Sequence, residues 1–213
     1  MTFAEKLAKD FENRRSHLEA AAKMLNARLV DILAGVPHVD RVSFRVKTSE
    51  SFVHKCADES GNRRVGADGN LKYQEPLAEV EDQIAGRVLV FFRDDLEVVE
   101  SRIRDAFRAA VEFRRREPAT AAAFGYESDH FIFVIDEHMK PDGWERLEPM
   151  PATFELQVRT LFMHAFAEPQ HDIGYKGHEP LDSEVEREFA WIAASAWGAD
   201  RTMNELYQRL TLR

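Results

Sequence analysis

One segment of the sequence alternates strictly between apolar and polar residues and carries three side chains suited to chemistry. In residues 154–159 the polar positions are Glu155, Gln157 and Arg159. Because successive side chains of a β-strand point to opposite faces, these three share one face. Two interpretations remain open: the face meets solvent, or it lines a wet cleft where a carboxylate and a guanidinium meet a substrate.

A second carboxylate stands just before another predicted strand. Asp82 precedes Gly86, Arg87 and the apolar run 88–92, which is short enough for a central strand. A carboxylate at a strand edge suits Mg²⁺, and Gly86 allows close approach of the backbone. Acids before strands are also common in turns, so a simple turn role for Asp82 stays open.

Charge is distributed in blocks along the chain. The 213 residues carry 29 Lys and Arg against 38 Asp and Glu, a formal net charge of −9. Residues 41–72 hold seven basic side chains against four acids, residues 73–100 hold eight acids against two bases, and residues 101–116 are basic again. Such blocks are typical of solvated helix faces, or of a site that holds polyphosphate on one wall and a divalent cation on another.

The composition excludes several classes of protein. No run approaches the roughly 20 apolar residues of a membrane span, and the amino terminus is charged almost at once, so we expect no membrane segment and no secretory signal. The single cysteine, Cys56, suits a reducing cytosol, so we expect a cytoplasmic protein. The acidic pI of about 5.4 argues against general duplex-DNA binding.

Hydrophobic periodicity and turn residues predict an α+β fold, with a mixed β-sheet of four to five strands and helices at both ends of the chain. The predicted helices are 3–34, 49–58, 94–113, 160–176 and 182–210, and the predicted strands are 42–47, 88–92, 131–135 and 154–158. Glycines mark 61–71 as a loop, and 141–151 is a turn-rich connection. We expect one domain, 1–213, with an N-terminal helix (1–40), a catalytic core (41–176) and a C-terminal helical segment (177–213).

Two segments near the C-terminus allow more than one interpretation. His164, Glu168 and His171 are spaced for one helical face, as metal ligands are, but Pro169 interrupts a helix there, which favours hydrogen-bonding roles over a zinc site. The apolar residues of 182–210 predict either packing on the core or a subunit contact.

Four blocks of the sequence, in order, resemble the synthetase domain of the RelA/SpoT family, especially its small single-domain members. The blocks are RVKTSESFVHK (45–55), DQIAGRV (82–88), GYESDH (125–130) and FELQVRT (154–160). The resemblance extends over roughly residues 20–210. It implies a nucleotidyltransferase-like synthetase fold and an Mg²⁺-dependent enzyme that moves the β,γ-pyrophosphate of ATP to the 3′-hydroxyl of GDP or GTP, making (p)ppGpp and releasing AMP.

The resemblance also implies roles for individual residues. Asp82 and Glu155 are the implied Mg²⁺ ligands and catalytic residues, with Glu155 either a ligand or the general base. The implied ATP- and phosphate-binding residues are Arg45, Lys47, Ser51, Lys55 and Arg87. The implied acceptor-binding residues are Tyr126, His130, Gln157 and Arg159. Small synthetases also associate through C-terminal helices, so a homo-oligomer is an implied state.

The sequence departs from the family pattern beside the acceptor. Glu127 stands where small synthetases usually carry arginine, and 121–124 lack the usual basic lead-in. The acceptor therefore stays open between GDP or GTP, adenine nucleotides that yield (p)ppApp, and the 3′ end of tRNA. The last two acceptors belong to toxic family members, for which an antitoxin is an expected partner. A non-catalytic nucleotide sensor is a further alternative, although intact Asp82 and Glu155 argue against it.

Overall fold

The computed structural model describes residues 1–107, 110–116, 123–125, 128–176 and 182–211. Its helices are α1 (Phe3–Glu12), α2 (Arg15–Ile32), α3 (Ser49–Cys56), α4 (Pro76–Glu79), α5 (Asp94–Ala106), α6 (Leu161–Lys176) and α7 (Ser183–Thr211). Its strands are β1 (Val39–Val46), β2 (Ile84–Val90), β3 (Ala110–Arg116), β4 (Ser128–Val134) and β5 (Thr153–Thr160). Short 3₁₀ helices occupy Glu81–Gln83, Glu137–Met139 and Trp144–Leu147.

The strands form one mixed sheet in the order β1-β2-β5-β4-β3. Strands β2 and β5 are parallel, whereas the β1–β2, β5–β4 and β4–β3 pairs are antiparallel. The predicted α+β class and the mixed sheet flanked by helices are confirmed. Glu155 lies in the central strand β5, and Asp82 comes just before its neighbour β2.

One face of the sheet is apolar because alternate residues of each strand are apolar. Val88 of β2, Leu156 of β5 and Phe131 of β4 lie on this face and are buried. Helices α2 and α5 cover it, with Leu25 and Ile103 in the same hydrophobic cluster. Burying this face, at about 25 cal/mol per Å² of apolar surface, is the main force that holds the strands in register.

The opposite face carries a row of polar side chains that crosses four strands. Arg87 of β2 pairs with Gln157 of β5, which pairs with His130 of β4, which pairs with Arg114 of β3. Paired residues of neighbouring strands point to the same side of the sheet. The pairing of the strands therefore assembles a polar surface from residues far apart in the sequence.

Gly86 faces the apolar side of the sheet. A Cβ built at Gly86 would lie 2.5 Å from Cζ of Phe44 and 2.8 Å from Cδ1 of Leu156. The expectation that Gly86 lets the backbone approach a ligand is therefore replaced by a packing reason: the ring of Phe44 occupies the space above this glycine.

We expect Gly86→Ala to destabilise the protein by about 1–3 kcal/mol, because the extra methyl group overpacks the core. Thermal and denaturant unfolding measure the change. Gly198→Ala in α7 is the matched control, since a Cβ at Gly198 meets no atom within 4 Å. Alanine favours a helix over glycine by about 1 kcal/mol, so the control should raise stability. Equal unfolding midpoints for Gly86→Ala and the wild type would contradict the packing role.

The predicted single helix 3–34 is wrong, because the chain breaks between α1 and α2. At the break, the Arg14 guanidinium donates to the carbonyl of Asp10 (2.6 Å) and to the carbonyl of Pro149 (3.1 Å). The break lets α1 pack on α3, where Phe11 and Phe52 stack with ring centroids 4.4 Å apart. Helix α2 meanwhile packs on the sheet. Periodicity did not reveal the break because both segments have the same apolar spacing.

The predicted helix 94–113 is correct only as far as Ala106. Residues 110–116 form the edge strand β3, which pairs with β4 and places Phe113 opposite Phe131. Alanine, glutamate and arginine favour helices, so the local sequence predicts the wrong element. Pairing with a strand more than ten residues away overrides this preference.

The other predicted elements are confirmed with shifted ends. Strand β2 begins four residues earlier than predicted and ends at Val90, so the exposed Phe91 lies beyond it. The loop at 61–71 is confirmed, with two isolated bridges as its strand pairing. The 141–151 connection contains a 3₁₀ turn and a cis Glu148–Pro149 bond. Among the helices of the described part of the chain, none is long and apolar enough to cross a membrane.

Candidate active site

A cavity of about 630 Å³ opens over the polar face of the sheet. It brings together most of the site residues predicted from the sequence: Arg45, Lys47, Lys55, Asp82, Arg87, His130, Glu155, Gln157 and Arg159. Of the two interpretations of the β5 polar face, the structure supports the cleft. Ser51 is not among the described residues that line the cavity, and Tyr126 and Glu127 lie outside the described residues.

Asp82 is held between two lysines that come from separate elements. Lys47, directly after β1, donates to Asp82 Oδ2, and Lys55 of α3 donates to Asp82 Oδ1, each over 2.8 Å. Burial alone would raise the pKa of Asp82, but the charges and hydrogen bonds of the two lysines outweigh it, and the pKa lies below its ordinary value. Asp82 is therefore ionised at neutral pH.

Local structure explains how the two lysines reach Asp82. The backbone amide of Lys47 donates to the carbonyl of Gln83 (2.9 Å), which fixes the end of β1 beside the 3₁₀ turn that carries Asp82. Thr48 then caps α3 by accepting from the amide of Ser51 (3.2 Å). This start places Lys55 in the last turn of α3 and buries Phe52 against α1.

Glu155 is the second ionised carboxylate of the cavity. Its Oε1 lies 2.6 Å from Nδ1 of the buried His130, and its Oε2 accepts from Nε2 of Gln157 over 3.3 Å. Burial raises the pKa of Glu155, and the hydrogen bond and charge of His130 lower it further than burial raises it. An ionised carboxylate accepts, so Nδ1 of His130 is the donor and carries the proton.

Two arginines form a cationic wall beside these carboxylates. Arg87 of β2 and Arg159 of β5 each place Nη2 next to the same oxygen, Oε1 of Glu168, at 2.7 Å and 3.0 Å. The side chain of Arg159 is 3% exposed and that of Glu168 is 46% exposed. The guanidinium groups are thus fixed by the sheet, whereas the carboxylate reaches them from helix α6 at the rim.

The cavity therefore combines ionised carboxylates with fixed cations on one polar surface. A family model for the region found in RelA/SpoT proteins matches residues 44–180, which include every strand that lines the cavity except the first part of β1. The chain belongs to the RelA/SpoT family.

Solved structures support the assignment of this RelA/SpoT chain at the level of the fold. The small alarmone synthetase 1 from Bacillus subtilis matches with a TM-score of 0.74 and 21% identity, covering 95% of this chain and 98% of that one. The same enzyme bound to its product pppGpp matches with a TM-score of 0.72 and 19% identity, covering 95% and 99%. The structure of that enzyme bound to AMPCPP matches with a TM-score of 0.66 and 19% identity, covering 96% of this chain and 100% of that one. No curated protein matches this chain significantly in sequence.

The RelA/SpoT cavity also contains residues beyond those predicted as catalytic, ATP-binding or acceptor-binding. Arg114 of β3 reaches across to Glu81, with Nη2 3.5 Å from Oε2, and pairs with Glu112. Glu168 joins the two arginines of the wall. Arg114 belongs to the basic block 101–116, so the clustering of basic residues in the sequence indicated it. Nothing in the sequence indicated Glu81 except its position next to Asp82.

The predicted helical face of His164, Glu168 and His171 is present only in part. Helix α6 runs through Pro169 without ending, and Nδ1 of His164 lies 3.8 Å from Oε1 of Glu168. Burial and the nearby arginines lower the pKa of His164. The side chain of His171 lies outside the described residues, and the described side chains contain no group of three or more potential metal ligands.

The donor set nonetheless fits a divalent cation of the kind the family implies. Asp82 and Glu155 are ionised and offer oxygen atoms, the ligands that Mg²⁺ prefers, and both line the one cavity. Mg²⁺ is usually held by one or two carboxylates together with substrate phosphates and water, so two protein ligands are enough. The two lysines hold the Asp82 carboxylate in place at the cavity wall.

Proposed function

We propose that this RelA/SpoT protein transfers the β,γ-pyrophosphate of ATP to the 3′-hydroxyl of GDP or GTP, making (p)ppGpp and releasing AMP. The observation that carries the proposal is the cavity in which ionised Asp82 and Glu155 lie beside fixed arginines and lysines on one face of the sheet. The likeness to a synthetase bound to pppGpp and to AMPCPP supports the same substrates here.

The proposed reaction sets clear demands on the site. The acceptor 3′-oxygen forms a bond to the β-phosphorus of ATP, the bond from that phosphorus to the α-phosphate oxygen breaks, and the hydroxyl proton must be removed. The donor carries several negative charges, so positioning and charge stabilisation dominate catalysis. Arg45, Lys47, Lys55, Arg87 and Arg159 all line the cavity and supply the cations.

Asp82 and Glu155 are the proposed holders of Mg²⁺, which when bound neutralises phosphate charge. The hydrogen bond from His130 fixes the orientation of Glu155 and keeps it ionised. A lowered pKa keeps Glu155 ionised at neutral pH, as a cation ligand must be, and makes it a weaker base, so it favours the ligand role over the general-base role. Ser51 and Tyr126 remain proposed nucleotide contacts, from the start of α3 and from a segment beyond the described residues.

A second candidate acceptor is the 3′ end of an RNA. Glu127 stands where a cation would hold a nucleoside 5′-polyphosphate, and the exposed Arg104 of α5 lies over the ring of Phe113 in the basic strand β3. Arginines in this arrangement suit a nucleic-acid backbone. Adenine nucleotides are the remaining alternative acceptor.

One assay separates the acceptors. The protein is incubated with Mg²⁺, ATP labelled in the γ-phosphate and, in turn, GDP, GTP, ADP, ATP and uncharged tRNA, and both labelled product and AMP are measured. The proposal expects label on GDP or GTP with equal amounts of AMP. Transfer only to tRNA or to adenine nucleotides would replace the acceptor and keep the chemistry. Absence of transfer to every acceptor would leave the sensor alternative.

We also propose that α7 joins two copies of the chain. Apolar or small residues recur every three and four residues along its outer side: Ile192, Ala196, Ala199, Met203, Leu206 and Leu210. The inner side, with buried Ala193, Asp200 and Asn204, already packs on the body of the protein. An outer seam with this spacing is typical of helices that pair with another helix.

Light scattering should give the mass of an oligomer for the wild type and a smaller mass for Met203→Glu with Leu206→Glu. Val98→Glu, an equally apolar and exposed position on α5, is the control and should keep the wild-type mass. A monomeric wild type would refute the pairing.

A further inference from the structure

We propose that Glu168 competes with the phosphate of the substrate. Its carboxylate binds Arg87 and Arg159 in the empty site and must be displaced before a nucleotide's phosphate can bind them. This inference rests on the proposed function. It assigns to Glu168 a role in setting nucleotide affinity, in addition to the phosphate-binding roles proposed for the arginines.

The geometry shows one anion already bound between the two guanidinium groups. Oε1 of Glu168 lies 2.7 Å from Nη2 of Arg87 and 3.0 Å from Nη2 of Arg159. All three side chains line the active-site cavity. A phosphoryl oxygen accepts the same two donors at the same distances, so carboxylate and phosphate cannot both occupy the position.

The three side chains differ in how freely they can move. Arg159 is almost fully buried and Arg87 is mostly buried, and both extend from central strands of the sheet. Glu168 is 46% exposed and extends from α6. When phosphate arrives, the arginines stay and the glutamate is the group that can rotate into solvent.

The charges explain why the chain benefits from such a competitor. Burial lowers the pKa of Arg87, and the neighbouring charge of Arg159 lowers it further. Two partly desolvated cations side by side destabilise the empty site, and the Glu168 carboxylate offsets this cost. The stabilisation of the empty site by Glu168 is then lost whenever a phosphate replaces it, which weakens nucleotide binding.

Glu168→Gln should therefore bind anions more tightly while it folds less stably. We expect about tenfold tighter binding of inorganic pyrophosphate and of an ATP analogue with an α,β-methylene bridge, measured by calorimetry at constant ionic strength; a tenfold change corresponds to about 1.4 kcal/mol. The unfolding temperature of the nucleotide-free variant should fall. Glu145→Gln, which removes one exposed carboxylate that does not line the cavity, should change neither quantity.

The outcomes separate this inference from the proposed function. If Glu168→Gln binds pyrophosphate more weakly than the wild type, or equally well, the competitor role is overturned. A glutamate that only held the arginines in position would strengthen phosphate binding, so its loss would weaken that binding. Glu168→Asp, which keeps the charge on a shorter side chain, serves as a second variant if Glu168→Gln does not fold, and should bind pyrophosphate more tightly than the wild type. The binding measurements need no turnover. If no acceptor received pyrophosphate, the proposed reaction would be refuted, and the competition between Glu168 and phosphate would still be decided by the binding measurements.

Discussion

Glu155→Gln is expected to lower pyrophosphate transfer by about 10³-fold or more while ATP still binds. Glutamine keeps an oxygen that accepts from Nδ1 of His130, so the local hydrogen bond and the fold should persist. It removes the negative charge that the proposed site needs for the cation and for the acceptor hydroxyl. Steady-state AMP release gives the rate, and calorimetry with the methylene-bridged ATP analogue gives the binding.

Glu112→Gln is the matched control for this change. Glu112 pairs with Ile132, which pairs with Glu155, so both carboxylates belong to one row of the sheet, but Glu112 lies exposed on the edge strand. The control should retain nearly the full rate. A rate for Glu155→Gln within a few-fold of the wild type would remove Glu155 from the proposed catalytic centre.

Asp82→Asn is expected to reduce transfer as strongly as Glu155→Gln and, unlike it, to destabilise the protein. The neutral amide leaves the ammonium groups of Lys47 and Lys55 without the carboxylate that both contact at 2.8 Å. Breaking a partly buried ion pair by removing one partner costs about 1–3 kcal/mol. Unfolding by denaturant at pH 7 measures this loss, and Glu81→Gln, next to Asp82 but paired with Arg114, should show a smaller one.

The pH dependence of this difference gives a second test. The pKa of Asp82 is lowered in the folded state, so its contribution to stability is complete above the unfolded pKa and is lost as the pH falls through the folded pKa. The gap in free energy of unfolding between wild type and Asp82→Asn should hold from pH 7 to about pH 5 and shrink below about pH 4. A gap that stays constant into acid would mean that the charge of Asp82 is not the source of its stability.

The sequence predicted the parts of the site that lie within single strands. Alternation in 154–159 placed Glu155, Gln157 and Arg159 on one face, because the two-residue period of a strand is a local property. It did not predict that His130 donates to Glu155, since that contact depends on the register between β4 and β5. Register is set by burial of the apolar face across strands, which no local window contains.

The difference between local patterns and contacts across strands also explains the errors in the predicted fold. Strand β3 was predicted as helix because residues 110–116 favour a helix locally, and their pairing partner is β4. The contacts of Lys47 and Lys55 with Asp82 were not predicted either, because they depend on how the end of β1 and helix α3 lie beside the 3₁₀ turn that carries Asp82. Glu168 was predicted only to form hydrogen bonds near the cleft. Its contact with both arginines was not predicted, because it depends on how α6 packs against β2 and β5.

The polar row from Arg87 through Gln157 and His130 to Arg114 has a fixed length. Neighbouring strands lie about 4.8 Å apart, so three steps across the sheet separate the first and last residues of the row by about 14 Å. The strand pairing thus fixes the distance between Arg87 and Arg114 independently of any ligand.

Because strand pairing fixes these positions, the chain should tolerate insertions and deletions in its loops but not in its central strands. One residue inserted in β5 just before Glu155 would turn Glu155 and Arg159 towards the core and Leu156 towards the cavity, and both the site and the fold would be lost. The same insertion in the loop at 61–71 would leave every row of the sheet in place. Length variation among working sequences of this kind should therefore collect in the loops and spare the central strands.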